Sequence, residues 1–448
     1  MAPARLLRGT IMHVPRDPFR KDGALEAFSD GALAIEDGVV SDVGDYPALA
    51  VAHPDAVTDD RRGAVIVPGL VDAHVHYPQM PVMGAAGMGL LEWLERRTLP
   101  EEARYARRDY AATRADAFLR LLAANGTTTA MVFGAHFAPA MDAFFAAAER
   151  SGLRITAGLC VSDRNLTEAL HTTPARALDE GLELARRWHG RDRLRYAVTP
   201  RFAVSCSDAL LEACGELLAA VPGAYLTTHI NESQEEVAAV RHLFPEALDY
   251  LDAYDRHGLI GMRSLLAHDV HVGERELARL ADADAVVVHC PSSNLMLGSG
   301  LFPLRRHLAA GVRLALGTDV GAGTGFGLLG ETLAGQQVQM LRADGERLGP
   351  ARALYLATAA GAAALGMADR VGDFRPGKQA DLVVLRPPPR STLAELLALA
   401  ADAESALGAV LMLAREESVE EVLVSGASVL RGPPPGAAGL DAVASGGP

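Results

Sequence analysis

The 448-residue sequence has no uninterrupted apolar run approaching the ~18 residues of a membrane span, although nearly half of it is apolar. A soluble chain with a sizeable core is expected, and no membrane partner. Basic residues are not in excess either. The net charge of −14 argues against a nucleic-acid partner, because the phosphate backbone demands a basic footprint. The four cysteines, Cys160, Cys206, Cys214 and Cys290, contain no C-x-x-C spacing. Buried or half-buried free thiols are expected, not a disulfide framework. The start, Met1-Ala-Pro-Ala-Arg5, lacks a charged n-region and an apolar h-region, so a cytoplasmic location is expected. These absences leave a small molecule as the partner that fits.

What is present divides into two rhythms. From Leu6 to Val65 short alternating segments, Leu6–His13, Gly31–Glu36 and Val39–Gly44, are separated by Gly, Pro and Asp turns and read as antiparallel sheet. From Val65 on, short apolar strands alternate with longer Ala/Leu/Arg-rich amphipathic segments. The first strand is the run Val65–Val71. It is followed by Thr127–Phe133, Arg154–Cys160, Leu194–Thr199, Tyr225–Ile230, Ser264–His268, Ala285–Cys290 and Arg313–Thr318, eight in all. Helices are expected over Tyr105–Ala124, Pro139–Ser151, Arg176–His189 and Asp208–Val221, which makes the strands parallel. Eight such units predict an α/β fold, a (β/α)8 TIM-type barrel of the kind that can run to roughly 250 residues or more. Ala380–Leu385 is strand-like, Leu393–Ala414 helical, and Val419–Val424 with Ala427–Leu430 a hairpin. The chain ends therefore build a small β-sandwich domain together, residues 1–66 and 371–432 flanking a barrel of residues 67–370. The Pro/Gly/Ala-rich tail, 433–448, is expected to be disordered.

Chemistry in such a barrel sits at the C-terminal ends of the strands. His74 and His76 stand two residues apart at the end of the first strand, on one face of it, and His229, His268 and Asp319 fall at the ends of the fifth, sixth and eighth. Any one of these alone would be an ordinary core or surface residue. Together they predict a metal centre. Imidazoles with a carboxylate suit one Zn2+ best, with iron(II) the alternative.

The same residues carry a resemblance. Pro68-Gly-Leu-Val-Asp-Ala-His-Val-His76, Thr228-His-Ile-Asn-Glu232, the His268 strand end, Gly317-Thr-Asp319 and Gly377-Lys-Gln-Ala-Asp-Leu-Val-Val-Leu385 resemble the amidohydrolase superfamily, in its purine and pyrimidine deaminase branch. A two-metal member would need a lysine near the end of strand four, where Ala197-Val-Thr-Pro-Arg201 has none. One metal ion is therefore implied. Finer motifs, His76-Tyr-Pro-Gln79, Leu90-Leu-Glu-Trp-Leu94, Thr199-Pro-Arg-Phe202, His289-Cys-Pro-Ser-Ser-Asn-Leu295, Gly298-Ser-Gly300 and Thr318-Asp-Val-Gly321, are similar to the guanine deaminase group of that branch. Two departures stand out: Asn231 replaces the usual serine, and Gly321-Ala-Gly-Thr-Gly325 replaces the usual glycine run.

The resemblance implies hydrolysis of guanine to xanthine and ammonia, and a homodimer by analogy. The other zinc deaminase fold, marked by His-x-Glu and Pro-Cys-x-x-Cys, is absent. Replacing an aromatic amine by water needs a nucleophile, a base and an acid. A metal supplies the first. Asp319 is the candidate base, His268 would orient the activated water as a ligand or beside one, and Glu232 would shuttle protons. The bland alternative for Glu232 is a helix-start carboxylate. Gln79 and Arg201 are the candidates for reading the purine edge, and Phe202 lines the pocket or sits in the core. Trp93 is packing or cover. His136 and His271 border the site, His289 supports it, His13 sits in a sheet strand, and the other histidines, His307 among them, are surface or loop positions. The competing functions are deamination of another amino-substituted ring (8-oxoguanine, a pterin or a triazine) and a non-catalytic binding protein on the same fold.

Overall fold

The structure is a computed structural model and describes residues 4–431. The expectation for the tail, 433–448, lies outside the described residues. Strands β1 (Arg5–His13), β2 (Glu26–Glu36), β3 (Val39–Asp45) and β4 (Val57–Pro68) open the chain. The barrel strands follow: β5 (Leu70–His76), β6 (Thr127–Phe133), β7 (Arg154–Gly158) with its continuation β8 (Cys160–Val161), β9 (Leu194–Pro200), β10 (Tyr225–Ile230), β11 (Ser264–His268), β12 (Val286–His289) and β13 (Arg313–Leu316). Finally β14 (Leu382–Leu385), β15 (Val419–Val424) and β16 (Ala427–Arg431) return to the first sheet, whose order is β16-β15-β14-β4-β1-β2-β3. Both chain ends thus share one sheet, joined where β14 runs antiparallel to β4.

That sheet is mixed, not wholly antiparallel as the turn pattern suggested. β1 and β4 are parallel, because the helix Tyr46–Ala52 carries the chain across before β4 begins. The apolar run Val65–Val71 is also two strands and not one. β4 ends at Pro68 and the ligand-bearing β5 begins at Leu70. Gly69 makes the break. Its N–H donates to Asp381 O at 2.9 Å, and a Cβ there would lie 2.1 Å from Thr128 Oγ1, so only glycine lets the chain pass β6 this closely. Asp381 also takes Arg154 Nε at 2.7 Å, a buried ion pair that fixes the small sheet to the base of β7.

The barrel ladders are parallel from β5 round to β13. Two backbone bonds beyond the last strand bring its ends together: Asp319 N–H to His74 O at 2.9 Å and His76 N–H to Val320 O at 3.2 Å. β5 and β6 are buried along their whole length, because side chains fill the inside and helices cover the outside. That is why neither shows the alternation of exposed and buried residues of a half-exposed strand. The expected strand Arg154–Cys160 is interrupted at Leu159; at Gly158 the backbone crosses so near β9 that a Cβ would meet Ala197 O at 1.6 Å.

Helix starts follow local chemistry. Thr173 accepts from Arg176 N–H ahead of Pro174–Trp188, and Ser207 accepts from Leu210 N–H ahead of Asp208–Ala220. The expected single helix Leu393–Ala414 is two, Thr392–Leu399 and Ala403–Leu413, because Asp402 caps a fresh start by accepting from Ser405 N–H at 2.7 Å. Among the described residues no helix is long and apolar enough to cross a membrane. All four cysteines are buried and free.

Candidate metal centre and active site

On β5 alternate side chains point inward, so Asp72, His74 and His76 share the face that looks along the barrel axis. His229 enters from the end of β10 and Asp319 from three residues beyond β13. The His76 Nε2 atom lies 3.1 Å from both His74 Nε2 and His229 Nε2. Asp319 Oδ1 is 3.1 Å from His76 Nε2 and 3.4 Å from His74 Nε2. One donor atom from each of these four side chains falls within 4.8 Å of all the others.

The donor set fits a cation. Nitrogen lone pairs this close repel unless a positive charge sits among them, and burial holds two of the imidazoles neutral: His74 is pushed down to about 4 and His229 well below its ordinary value. Burial works against ionised Asp319, yet hydrogen bonding to His74 and His76 outweighs it and keeps the carboxyl well below the usual range. The backs of two rings are fixed. His229 Nδ1–H donates to Arg201 O at 2.6 Å, which leaves Nε2 for a metal. Gln79 Nε2 lies 3.1 Å from His76 Nδ1.

His268 stands slightly apart from the four. Its Nδ1–H donates to Asn294 Oδ1 at 2.8 Å, and its Nε2 faces Glu232 Oε2 at 3.5 Å and Asp319 Oδ2 at 3.9 Å with no hydrogen-bond partner of its own. The geometry places it beside the cluster, facing the two carboxylates. Glu232 precedes the N-cap and is not in the first helical turn. Ser233 and Glu236 form the capping box for Gln234–Leu243, while the Glu232 carboxylate accepts from Ser299 Oγ at 3.1 Å. Burial pushes Glu232 up to about 7. Asn231, His268 and Asp319 all have positive φ (50°, 78° and 48°), so at three strand ends the backbone turns sharply to aim neighbouring groups inward. Asn tolerates that conformation, and buried Asn231 Nδ2 also donates to Asp269 Oδ1 at 2.8 Å and Glu276 Oε1 at 3.1 Å, which accounts for an amide at this position.

His76, His229 and Asp319 of the cluster floor a small pocket. Gln79, Arg201, Phe202, Trp93 and Leu297 line it together with Glu232 and His268. Phe202 is therefore a wall residue, packed with Val82, Trp93 and Leu94. Trp93 lines the pocket as part of the covering segment. Four residues carry more than the sequence indicated. Asp72, the one charged side chain in β5, accepts from His74 N–H at 3.2 Å and Thr318 N–H at 3.1 Å and ties strand one to strand eight. Its signal was a carboxylate inside an apolar run. Ser299 and Asn294 hold Glu232 and His268. Glu102 had no sequence signal beyond an acidic pair in a helical stretch, yet it is 1% exposed and meets both Arg201 and Gln79.

The outlying histidines divide. His136 Nε2 is 3.2 Å from Glu102 Oε2, and His271 Nε2 is 2.8 Å from Ser299 O, so both border the site through a second residue. Among the described residues neither nitrogen of His289 finds a hydrogen-bond partner, and its ring stacks on Phe302 at 4.3 Å as a packing contact. His307 is fully buried against Asp269 at 2.8 Å, not a surface position.

A parallel barrel with a His-x-His pair, a third histidine and an aspartate converging at its strand ends defines a hydrolase site whose four donors could hold a metal ion. Residues 65–429 match the Amidohydrolase family, and the chain belongs to that family. It is 54% identical over 431 residues to "Probable guanine deaminase" of Deinococcus radiodurans, covering 95% of this chain and 98% of that one. Among solved structures, the guanine deaminase of E. coli superposes with a TM-score of 0.91 at 36% identity, covering 97% of this chain and 100% of that one. The C. acetobutylicum guanine deaminase with bound guanine gives 0.87 at 25% identity, covering 95% and 100%.

Proposed function

We propose that the protein hydrolyses guanine to xanthine and ammonia. One observation supports this above the others: three of the four clustered donors, His76, His229 and Asp319, face one small pocket together with Glu232 and the Gln79–Arg201 pair, in a chain whose relatives over nearly full length are named guanine deaminase. His74, His76, His229 and Asp319 would hold one divalent cation, zinc in this reading because three imidazoles and a carboxylate are its preferred donors. Such an ion, when bound, supplies a nucleophile at neutral pH by bringing the pKa of a water down towards ~7.

The chain's own groups do the rest. Asp319 accepts the proton of the attacking water, and His268 Nε2 orients it. Glu232 gives its proton to the ring nitrogen beside the amino-bearing carbon, takes another from the hydroxyl left on that carbon and delivers it to the departing amine, so that ammonia leaves and a carbonyl remains; the proton held by Asp319 then restores Glu232. A carboxyl poised near neutrality suits both transfers. Arg201 donates to the ring carbonyl and Gln79 bonds the ring edge, while Phe202, Trp93 and Leu94 pack the plane of the ring and exclude water.

The test is ammonia release by the metal-loaded protein from guanine, adenine, cytosine, a pterin, 8-oxoguanine and an aminotriazine in parallel. Release from guanine at the highest kcat/KM is expected. A higher value on any other ring overturns the substrate assignment, and no release from any ring overturns the enzyme.

A further inference from the structure

Glu102 lies on the short helix Leu99–Ala103, in the segment that also supplies Leu90, Trp93 and Leu94 to the pocket wall. Its carboxylate is buried and fully engaged. Arg201 Nη1 donates to Oε1 at 2.9 Å and to Oε2 at 2.6 Å, Gln79 Nε2 donates to Oε1 at 3.0 Å, and His136 Nε2 is 3.2 Å from Oε2. These partners come from the loop after β5, the end of β9 and the loop after β6. One carboxylate thus joins the cover of the pocket to both side chains that face a ligand's polar edge.

The arrangement is costly unless it has a use. A buried Arg–Glu pair recovers its desolvation penalty only when the geometry is good and further donors satisfy the carboxylate, and here Gln79 and His136 do so. Burial opposes the charge, but Arg201 and His136 outweigh it and keep Glu102 ionised well below the usual carboxylate range. The pairing also occupies one nitrogen of the Arg201 fork and fixes the plane of the rest. A guanidinium so held needs no reordering when a carbonyl oxygen arrives.

We infer that Glu102 is the positioning residue for ligand recognition, setting Arg201 and Gln79 as one preorganised unit under the covering segment. The inference rests on the guanine reading for its substrate. It predicts a specific kinetic pattern. Glu102→Gln, which keeps the shape and removes the charge, raises KM for guanine by roughly 10–100-fold while kcat changes far less and metal content not at all. 2-Aminopurine keeps the amine and lacks the ring carbonyl, so its KM moves much less, because the Arg201 contact was never available to it.

The experiment measures KM and kcat for both rings, with metal content on the same samples, in the wild type, Glu102→Gln, Glu102→Asp, Arg201→Ala and the double variant Glu102→Gln/Arg201→Ala. In the Arg201→Ala background the second change is expected to add less to KM than it does in the wild type, since only the hold of Glu102 on Gln79 remains. Glu102→Asp retains the charge one methylene short and falls between wild type and Glu102→Gln; it carries the comparison should the glutamine variant fold poorly. Equal KM rises on both rings, full additivity in the double variant, or an effect confined to metal loss overturns the positioning role. Wild-type inactivity on guanine with turnover of another ring overturns the substrate reading instead, and the same four variants are then compared on that ring. Inactivity on every ring overturns both.

Discussion

Replacing Asp72 tests whether strand one and strand eight are held by side-chain chemistry and not by ladder pairing alone. The register between β5 and β6 slips between Asp72 and Val75, so His74 N–H has no place in that ladder and donates to Asp72 Oδ1 at 3.2 Å. Thr318 N–H donates to the same oxygen at 3.1 Å, and Thr318 Oγ donates to Oδ2 at 2.5 Å. Asp72→Ala strands two backbone donors in a fully buried site. At ~1–3 kcal/mol each the loss is about 2–6 kcal/mol, the threonine hydroxyl being free to turn elsewhere. Asp72→Asn keeps an oxygen for both N–H groups and presents its amide to a hydroxyl that can accept. Since burial pushes the native carboxyl up to about 7, little charge stabilisation is lost at neutral pH and the cost is below ~1 kcal/mol. Urea midpoints by tryptophan fluorescence, on protein treated with a chelator, read the difference; Trp93 and Trp188 both report on the barrel. Because Asp319 N–H donates to His74 O, the alanine variant is also expected to lose metal occupancy. Alanine within ~1 kcal/mol of wild type, or asparagine as damaging as alanine, refutes the reasoning.

Three further outcomes follow from the same structure. His74→Ala removes one of four donors and is expected to lose its cation on gel filtration; full metal content by elemental analysis removes His74 from the centre. Glu232→Gln is expected to keep metal and bind guanine by calorimetry while kcat falls about 10²–10⁴-fold, and near-wild-type turnover removes Glu232 from proton transfer. Acid lability is expected from two buried histidines, His13 and His289, which burial pushes down to about 4 and about 3. Below the unfolded value of ~6.5 the unfolded chain binds protons the folded one refuses, so stability is full above ~6.5 and is lost as pH falls, on the order of 3 kcal/mol or more per group by pH ~3. His289→Leu should flatten the pH dependence of the urea midpoint over that window; an unchanged slope contradicts the assignment.

The sequence made the centre legible because its chemistry is local. His74 and His76 share one motif, and His229, His268 and Asp319 each follow a strand that can be read independently. Where tertiary contacts decide, it was silent. The break at Gly69 depends on Thr128, fifty-nine residues on, and nothing in the run Val65–Val71 marks it beyond Pro68. The helix Leu393–Ala414 kept its period through a break that only the Asp402 cap reveals. His289 looked supportive from its position at a strand end, yet its ring stacks on Phe302. Glu102 was illegible for the strongest reason: its partners, Gln79, His136 and Arg201, come from three other segments, and only the fold brings them to one carboxylate.

The central claim is that one cation, held by His74, His76, His229 and Asp319, is the reaction centre for guanine. The measurement is guanine deamination by chelator-stripped protein titrated with Zn2+, metal per chain being determined at each point. Activity that is absent without metal and rises in proportion until one ion is bound per chain is the predicted result. Turnover that survives complete stripping, or that appears only when a second ion binds, contradicts the account.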